Sequence, residues 1–365
     1  FLKNDGKYIY ILADNQFQIV DAWPAAFATV ISRTPIAGTP QKLFVHKDRA
    51  IIYSSGDSLQ KVEENTGYMT GMSYYSGSGE CTYGYDCEFT GDGRALEVTV
   101  FDITDVTAPK MLRKTAFTGS YLNSRRIGDI VYSAVIFPEV VIPGVEYWPE
   151  ALQNYWQNCW QSSGSEEAPT TEELSAWFND LRDKNLESIA AADITQFLPS
   201  VQDTRYVNGQ EIVEKGLLQS CQNFYMSQLD DGASFLSLVS FETDGLGEIE
   251  ASTIISRPGA VYASTDAFYV AVRHYSESAY GWFYEESEGI EEATTIHKFG
   301  LTSDDIHTTY LGSGPVKGRI LNQFSMDEHD AHLRVATTTG HLPSPGVYNT
   351  VAVMALSGMI HSVTK

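Results

Sequence analysis

Five stretches of this sequence share one pattern, and it restricts the available folds more than any other feature. In "QKLFVHKDRAIIYSS" (Gln41 to Ser55), "YLNSRRIGDIVYSAVIF" (Tyr121 to Phe137) and "AVYASTDAFYVAVRHY" (Ala260 to Tyr275), a short strand enters a polar turn centred on Asp and leaves as a second strand rich in Tyr, Val and Ile. The chain opens with the same hairpin, "FLKNDGKYIYIL", and repeats it in "ILNQFSMDEHDAHLRVATTTG" (Ile320 to Gly340). β-Branched and aromatic residues on both sides of a turn residue are the signature of a β-hairpin.

A second pair of strands follows each hairpin: "FQIVDAW" with "ATVISRTPIAG", "LEVTVFDITD" with "PKMLRKTAFTG", "FLSLVSFETD" with "EASTIISR", "TTIHKFGL" with "HTTYLGSG", and "TVAVMALS" with "MIHSVTK". The sequence therefore predicts five four-stranded units over about 1–37, 38–119, 120–257, 258–314 and 315–365. Antiparallel quartets repeated along a chain cannot bury both faces alone, and stacking around an axis as the blades of a β-propeller solves that problem. A β-sandwich is the competing architecture. The expected fold class is all-β, a β-propeller of four-stranded antiparallel blades with a small helical insertion.

The units differ in length because residues are inserted between the second and third strand, at Gly56 to Arg94, Pro138 to Gly232, Ser276 to Ala293 and His341 to Asn349. In a propeller these connections open on one face, which becomes the candidate binding face. The longest is expected to be a helical cap over 138–232. Leu152, Tyr155, Trp156, Cys159 and Trp160 fall at helical spacing, and Leu174, Trp177, Phe178 and Leu181 do so again behind a capping box of Thr170 with Glu173.

The formal net charge of −23, from 47 acids against 24 Lys and Arg, disfavours nucleic acid and anionic lipid as partners. No run of apolar residues is long enough to span a membrane. The four cysteines form no CxxC pair, and their spacing suggests two disulfides, Cys81 with Cys87 and Cys159 with Cys221, in an oxidising compartment. The chain starts at Phe1 inside a strand-like pattern, so any export signal is expected to have been removed.

The charged knot Asp327-Glu328-His329-Asp330 with His332 suggests zinc at first sight. It spans a turn into a strand, where residues three apart are expected to point to opposite faces, so turn chemistry explains it better. Calcium fits the acidic loop "GECTYGYDCEFTGDG" more closely, with Glu80, Asp86, Glu88 and Asp92 as candidate ligands, although the spacing is not that of an EF-hand. The acid run Glu285, Glu286, Glu288, Glu291 and Glu292 reads as a solvated face, and neither a GxSxG nor a P-loop motif occurs. What remains is aromatic surface. Tyr74, Tyr75, Trp148, Trp282, Phe283 and Tyr284 lie in the inserted segments, where rigid rings suit contact with a protein or a sugar.

The stretches "DGKYIYIL", "VFDITDVTAPK", "SRRIGDIVY", "TTIHKFGL", "LLQSCQNFY" and above all "LNQFSMDEHDAHLRVATTTG" resemble an uncharacterised family of secreted bacterial and archaeal proteins with a β-propeller domain distantly similar to WD40 repeats. The resemblance implies a secreted, periplasmic or cell-surface location and brings no catalytic or ligand residues with it. Members look longer at both ends, which implies that this chain is a fragment whose remaining blades, or another chain, complete the propeller. Five quartets closing as a ring is the other reading. The expected function is a non-catalytic binding or scaffold module for an extracellular protein or glycan. An extracellular polysaccharide hydrolase or lyase and a structural subunit of a surface assembly are the alternatives.

Overall fold

The computed structural model describes residues 1–58, 91–137, 142–161, 168–227, 231–275, 292–302, 305–340 and 345–355. The first sheet is ordered β1 (Leu2–Asn4), β2 (Tyr8–Ala13), β3 (Gln16–Asp21), β4 (Thr29–Pro35). The second begins with β5 (Thr39–His46), β6 (Arg49–Ser58), β7 (Arg94–Asp102) and β8 (Lys110–Phe117). Next come β9 (Ser120–Ile127) and β10 (Ile130–Phe137), then helices α1 (Glu150–Gln161) and α2 (Thr171–Ala191). A hairpin of β11 (Ser200–Val207) and β12 (Gln210–Leu217) precedes β13 (Phe224–Met226), β14 (Phe235–Glu242) and β15 (Ile249–Ile255), and the third sheet is ordered β13-β15-β14-β10-β9. The fourth holds β16 (Ala260–Ala263), β17 (Ala267–Tyr275), β18 (Glu292–Gly300) and β19 (Thr309–Lys317). β20 (Met326–His329), β21 (His332–Thr339) and β22 (Tyr348–Ala355) are the described strands of the fifth. The fold is all-β, and its main sheets are antiparallel throughout except for the short parallel pair β13 and β15.

Each sheet packs on the next in chain order. Tyr10, Leu12, Phe17 and Ile19 of the first meet Leu43, Ile52 and Phe101 of the second. The ring of Tyr53 lies 5.3 Å from that of Tyr121, and its hydroxyl bonds Ser133 at 2.7 Å, joining the second sheet to the third. Tyr132, Leu236, Leu238 and Ile254 pack on Phe268, Val270 and Phe299, and Tyr269 and Ile296 pack on Leu333 and Val335. This stacking explains two strand patterns. β10, "IVYSAVIF", is apolar almost throughout and buried on both faces, whereas β21, "HLRVATTT", alternates and buries mainly one.

A glycine recurs where each new sheet starts. Gly38, Gly119, Gly259 and Gly318 all precede the first hairpin of a unit, and at each a Cβ would collide with a backbone carbonyl of that unit's second strand: Ser55, Ile136, Ala271 and Thr338 respectively. The first strand can run this close to the second only because the side chain is missing.

The insertion after β10 is not purely helical. β11 and β12 meet at Asn208-Gly209, both at positive φ as a type I′ turn requires, and β11 pairs with β8, widening the second sheet to six strands. Arg113 on β8 clamps Asp203 on β11 through two bonds of 2.7 and 2.9 Å, both groups buried, and Thr115 adds a third at 2.9 Å. Residues Val140–Leu198 fall in a separate compact unit. There the capping box of Thr170 and Glu173 opens α2, whose Asn185 exchanges bonds with both backbone groups of Glu146. Among the described residues no helix is long and apolar enough to cross a membrane.

Gly259→Ala is expected to destabilise the protein by about 1–3 kcal/mol, the usual range for forcing volume into a packed interior. Its melting temperature compared with that of an alanine substitution at the open, exposed Gly216 provides the check.

Candidate functional site

The second-to-third strand connections of the last four sheets leave from one end of their strands, and three of them are rooted on a carboxylate. Asp92, Asp231 and Glu292 each stand four residues before a buried apolar residue of the third strand, Leu96, Phe235 and Ile296. All three stand close to the point where an insertion returns to its sheet, although the strand registers place Asp231 one residue out of step with the other two.

Asp231 and Glu292 are closed off from solvent. Asp231 lies beside the next sheet, where Thr295 donates to its Oδ1 at 2.9 Å and His274 Nε2 stands 3.1 Å from the same oxygen. His297 Nε2 faces its Oδ2 at 3.3 Å and carries Tyr310 on its other nitrogen at 3.0 Å. Arg257 donates from its backbone to the Asp231 carbonyl at 2.6 Å, and its guanidinium meets His274 Nδ1 at 2.9 Å. A guanidinium can only donate, so Nδ1 accepts and the His274 proton sits on Nε2, facing Asp231 and Thr295. That imidazole therefore offers no inward lone pair to a metal, and among the described residues no group of three His, Cys, Asp or Glu forms a metal site.

Burial alone would raise the Asp231 carboxyl, but the bonds from His274 and His297 outweigh it and hold the group well below the usual carboxylate range. Burial pushes His274 down from 6.5, more strongly than Asp231 raises it. Tyr310 is pushed up to about 12, chiefly by burial. Glu292 follows the same logic. Burial opposes its charge, yet Arg273 at 2.8 Å and Arg319 at 2.5 Å keep it ionised and below its ordinary value. Arg319 also donates to the Gly340 carbonyl at 2.8 Å, and the Gly340 amide donates to Glu292 at 3.2 Å, so one carboxylate grips the roots of two successive insertions.

Asp92 is the only calcium candidate among the described residues, and its oxygens are occupied. Ser55 and Gln41 donate to Oδ2, the latter at 3.1 Å, and the Arg94 amide donates to Oδ1 at 3.0 Å. Glu80, Asp86, Glu88, Cys81, Cys87, Tyr74, Tyr75, Trp282, Phe283 and Tyr284 lie outside the described residues. Trp148 is 42% exposed and stacks edge-on within the helical unit, with ring centroids 5.2 Å from Trp156 and 6.2 Å from Phe178. The expected bridge between Cys159 and Cys221 is not formed, since both are free. Closeness in sequence was a poor guide because Cys159 sits on α1 in the helical unit and Cys221 opens a short 3-10 turn ahead of β13.

The charged knot is a turn, with Asp330 and Ala331 both at positive φ. The faces were misjudged, however: His329 pairs directly with His332 across the hairpin, which puts the two on the same face. Both are exposed, while Glu328 turns inward to Lys298 at 3.0 Å and to Ser264.

At the opposite strand ends an open cavity of about 320 Å³ is lined by His46, Lys47, Arg49, Asp129, Glu242 and Asp244. Its charges largely satisfy one another. Lys47 and His46 hold Asp129 at 2.7 and 2.6 Å and keep its carboxyl below the usual range.

A family described as the β-propeller domain matches residues 1–364. The chain belongs to this family. The propeller has no match among curated proteins. Among solved structures it is similar to an S. cerevisiae complex described as a Dbp5 variant bound to Nup159, a Gle1 variant, IP6 and ADP, at 10% identity over 97% of this chain and 56% of that one, with a TM-score of 0.27. It therefore spans little more than half of that chain. Similarity to the N-terminal domain of Nup159 covers 96% of this chain and 69% of that one, at 9% identity and a TM-score of 0.25. A functionally unknown protein from Desulfotomaculum acetoxidans DSM 771 matches at 10% identity over 98% and 95%, with a TM-score of 0.21. Membership of the propeller family supports a general role as a binding or scaffold module.

Two outcomes are expected from the root carboxylates. Asp231→Ala strips a buried, charge-bonded group from its partners and should destabilise by about 3–5 kcal/mol in denaturant unfolding. Stability should also fall with acidification in two stages. Unfolded His274 takes up a proton near 6.5 while the folded form resists, so stability is lost as pH drops below that value. Asp231 and Glu292, depressed in the folded state, add a second loss below about pH 4, and melting temperature against pH should show both.

Proposed function

We propose that this propeller is a secreted or cell-surface, non-catalytic binding module that contacts a protein or a glycan through its inserted segments. One observation carries the reading, namely the contrast between the two ends of the same sheets. At one end the first hairpins of the last four units turn within two or three residues. At the other, connections of eight or more residues replace those turns, and the buried Asp231 and Glu292 stand at two of their roots. Rigid roots beneath long connections are how a scaffold presents recognition loops.

The absence of catalysis is part of the proposal. Its support is that the most strongly shifted acid and imidazole, Asp231 and His274, are sealed from solvent, with His274 bonded to Arg257 and Thr295 and Asp231 Oδ1 to Thr295. An extracellular location rests on the resemblance described above and not on disulfides, since the two described thiols are free. The aromatic residues Trp282, Phe283 and Tyr284 are the proposed contact residues.

Purified protein probed against an array of bacterial polysaccharides and a panel of purified surface proteins tests the reading. Replacing 277–290 by a short Gly-Ser linker should abolish the strongest signal without shifting the melting temperature. A signal that survives the replacement but disappears on Glu242→Lys would move the binding site to the cavity at the short-turn end and overturn the proposal.

A further inference from the structure

The hairpin of β11 and β12 adds two strands to the second sheet and ends it with a free edge. β12 is the last strand in its order, and all eight of its residues are exposed, including Ile212 at 44% and Val213 at 46%. Among the described residues nothing pairs with its outer side.

The turn fixes which backbone groups that edge offers. In a two-residue type I′ hairpin the residues flanking the loop, here Val207 and Gln210, form a hydrogen-bonded pair, and the pattern then alternates. Gln210, Ile212, Glu214 and Gly216 thus bond inward to β11. Leu218, the next in that series, confirms the phase, because its amide donates to the Pro199 carbonyl at 2.8 Å. Glu211, Val213, Lys215 and Leu217 turn their N–H and C=O groups outward.

We infer that this edge pairs with the same edge of a second copy, antiparallel about a twofold axis through Val213. In that register Val213 faces Val213 of the other copy, Glu211 faces its Lys215, and Lys215 faces its Glu211. Three of the four outward residues, Glu211, Val213 and Lys215, fall opposite one another in hydrogen-bonded positions, so the backbone phase and the charge pattern select the same register. Glu211, Val213 and Lys215 share one face of the strand, which lets both ion pairs form at once. The isologous contact closes as a dimer and leaves no edge for further growth. Since it consists of one strand pair, it is a weak and concentration-dependent association.

Sedimentation velocity of the full chain over a concentration series provides the test. The wild type should shift from monomer to dimer, and the shift should move to higher concentration with added salt. Lys215→Glu sets two like-charged pairs across the axis and should weaken dimerisation about tenfold or more, the effect of losing roughly 1.4 kcal/mol. The double exchange Glu211→Lys with Lys215→Glu restores the pairs in reversed order and should recover it. Val213→Pro removes an N–H that points away from β11, so the hairpin keeps its own ladder while the dimer is lost. A wild type that stays monomeric to its solubility limit overturns the inference, as does a dimer indifferent to Lys215→Glu or one that the double exchange fails to restore.

Discussion

The architecture hangs on ionised carboxylates buried where one sheet meets the next. Asp231 has crossed from the third unit to bond Thr295 and to face His274 and His297 of the fourth, and Glu292 of the fourth holds Arg319 and the Gly340 amide of the fifth. A buried charge is costly unless partners surround it, so each carboxylate favours the arrangement that brings its partners to it. Apolar contact between sheets is permissive about sliding. A carboxylate with donors from two or three strands is not, and it sets the register of one sheet against its neighbour.

The same economy governs the ends of the sheets. Glycines at 38, 119, 259 and 318 let each unit begin tight against its own second strand, and the carboxylates close the unit where its third strand begins. With the sheet fixed at these points the connecting segment can vary in length, and where one does join a sheet, as β11 does beside β8, it extends the edge of another unit. This is why connections as different as 276–291 and 340–347 can be carried by sheets of the same pattern, and why the long helical segment can be accommodated after β10.

Much of this fold was legible in the sequence, and the lapses have physical causes. Strand pairs repeated with a turn residue in the same place reveal an antiparallel all-β chain, because the two-residue period and the turn chemistry are local. The capping box at Thr170 was readable for the same reason. The hairpin at Asn208-Gly209 carried its signal, an Asn-Gly pair between strand-like runs, but was overlooked inside a segment assigned to helices. The pairing of Cys159 with Cys221 could not be judged from spacing, since a bridge depends on where two backbones meet. His329 and His332 were misplaced by counting along one strand when the turn lies between them. The root carboxylates were visible only as acids. Asp92, Asp231 and Glu292 all stand shortly before or at the start of a third strand, but most of their partners come from other strands, which spacing along the chain does not reveal.

Carboxylates near the roots of three insertions, with differing chemistry at each, have a consequence for how such a chain diversifies. The half-buried Asp92 is bonded by an amide, a hydroxyl and a backbone amide, Asp231 is bonded by a hydroxyl and faced by two imidazoles, and Glu292 is held by two guanidinium groups. All three place a carboxylate near the root of an insertion, each with a partner set of its own. One unit can therefore exchange its donors, or lengthen the connection above them, without disturbing its neighbours beyond the next sheet. Stability is then distributed mainly between neighbouring units, as in other repeat architectures, with Arg125 of the third reaching past the fourth to Gln323 of the fifth.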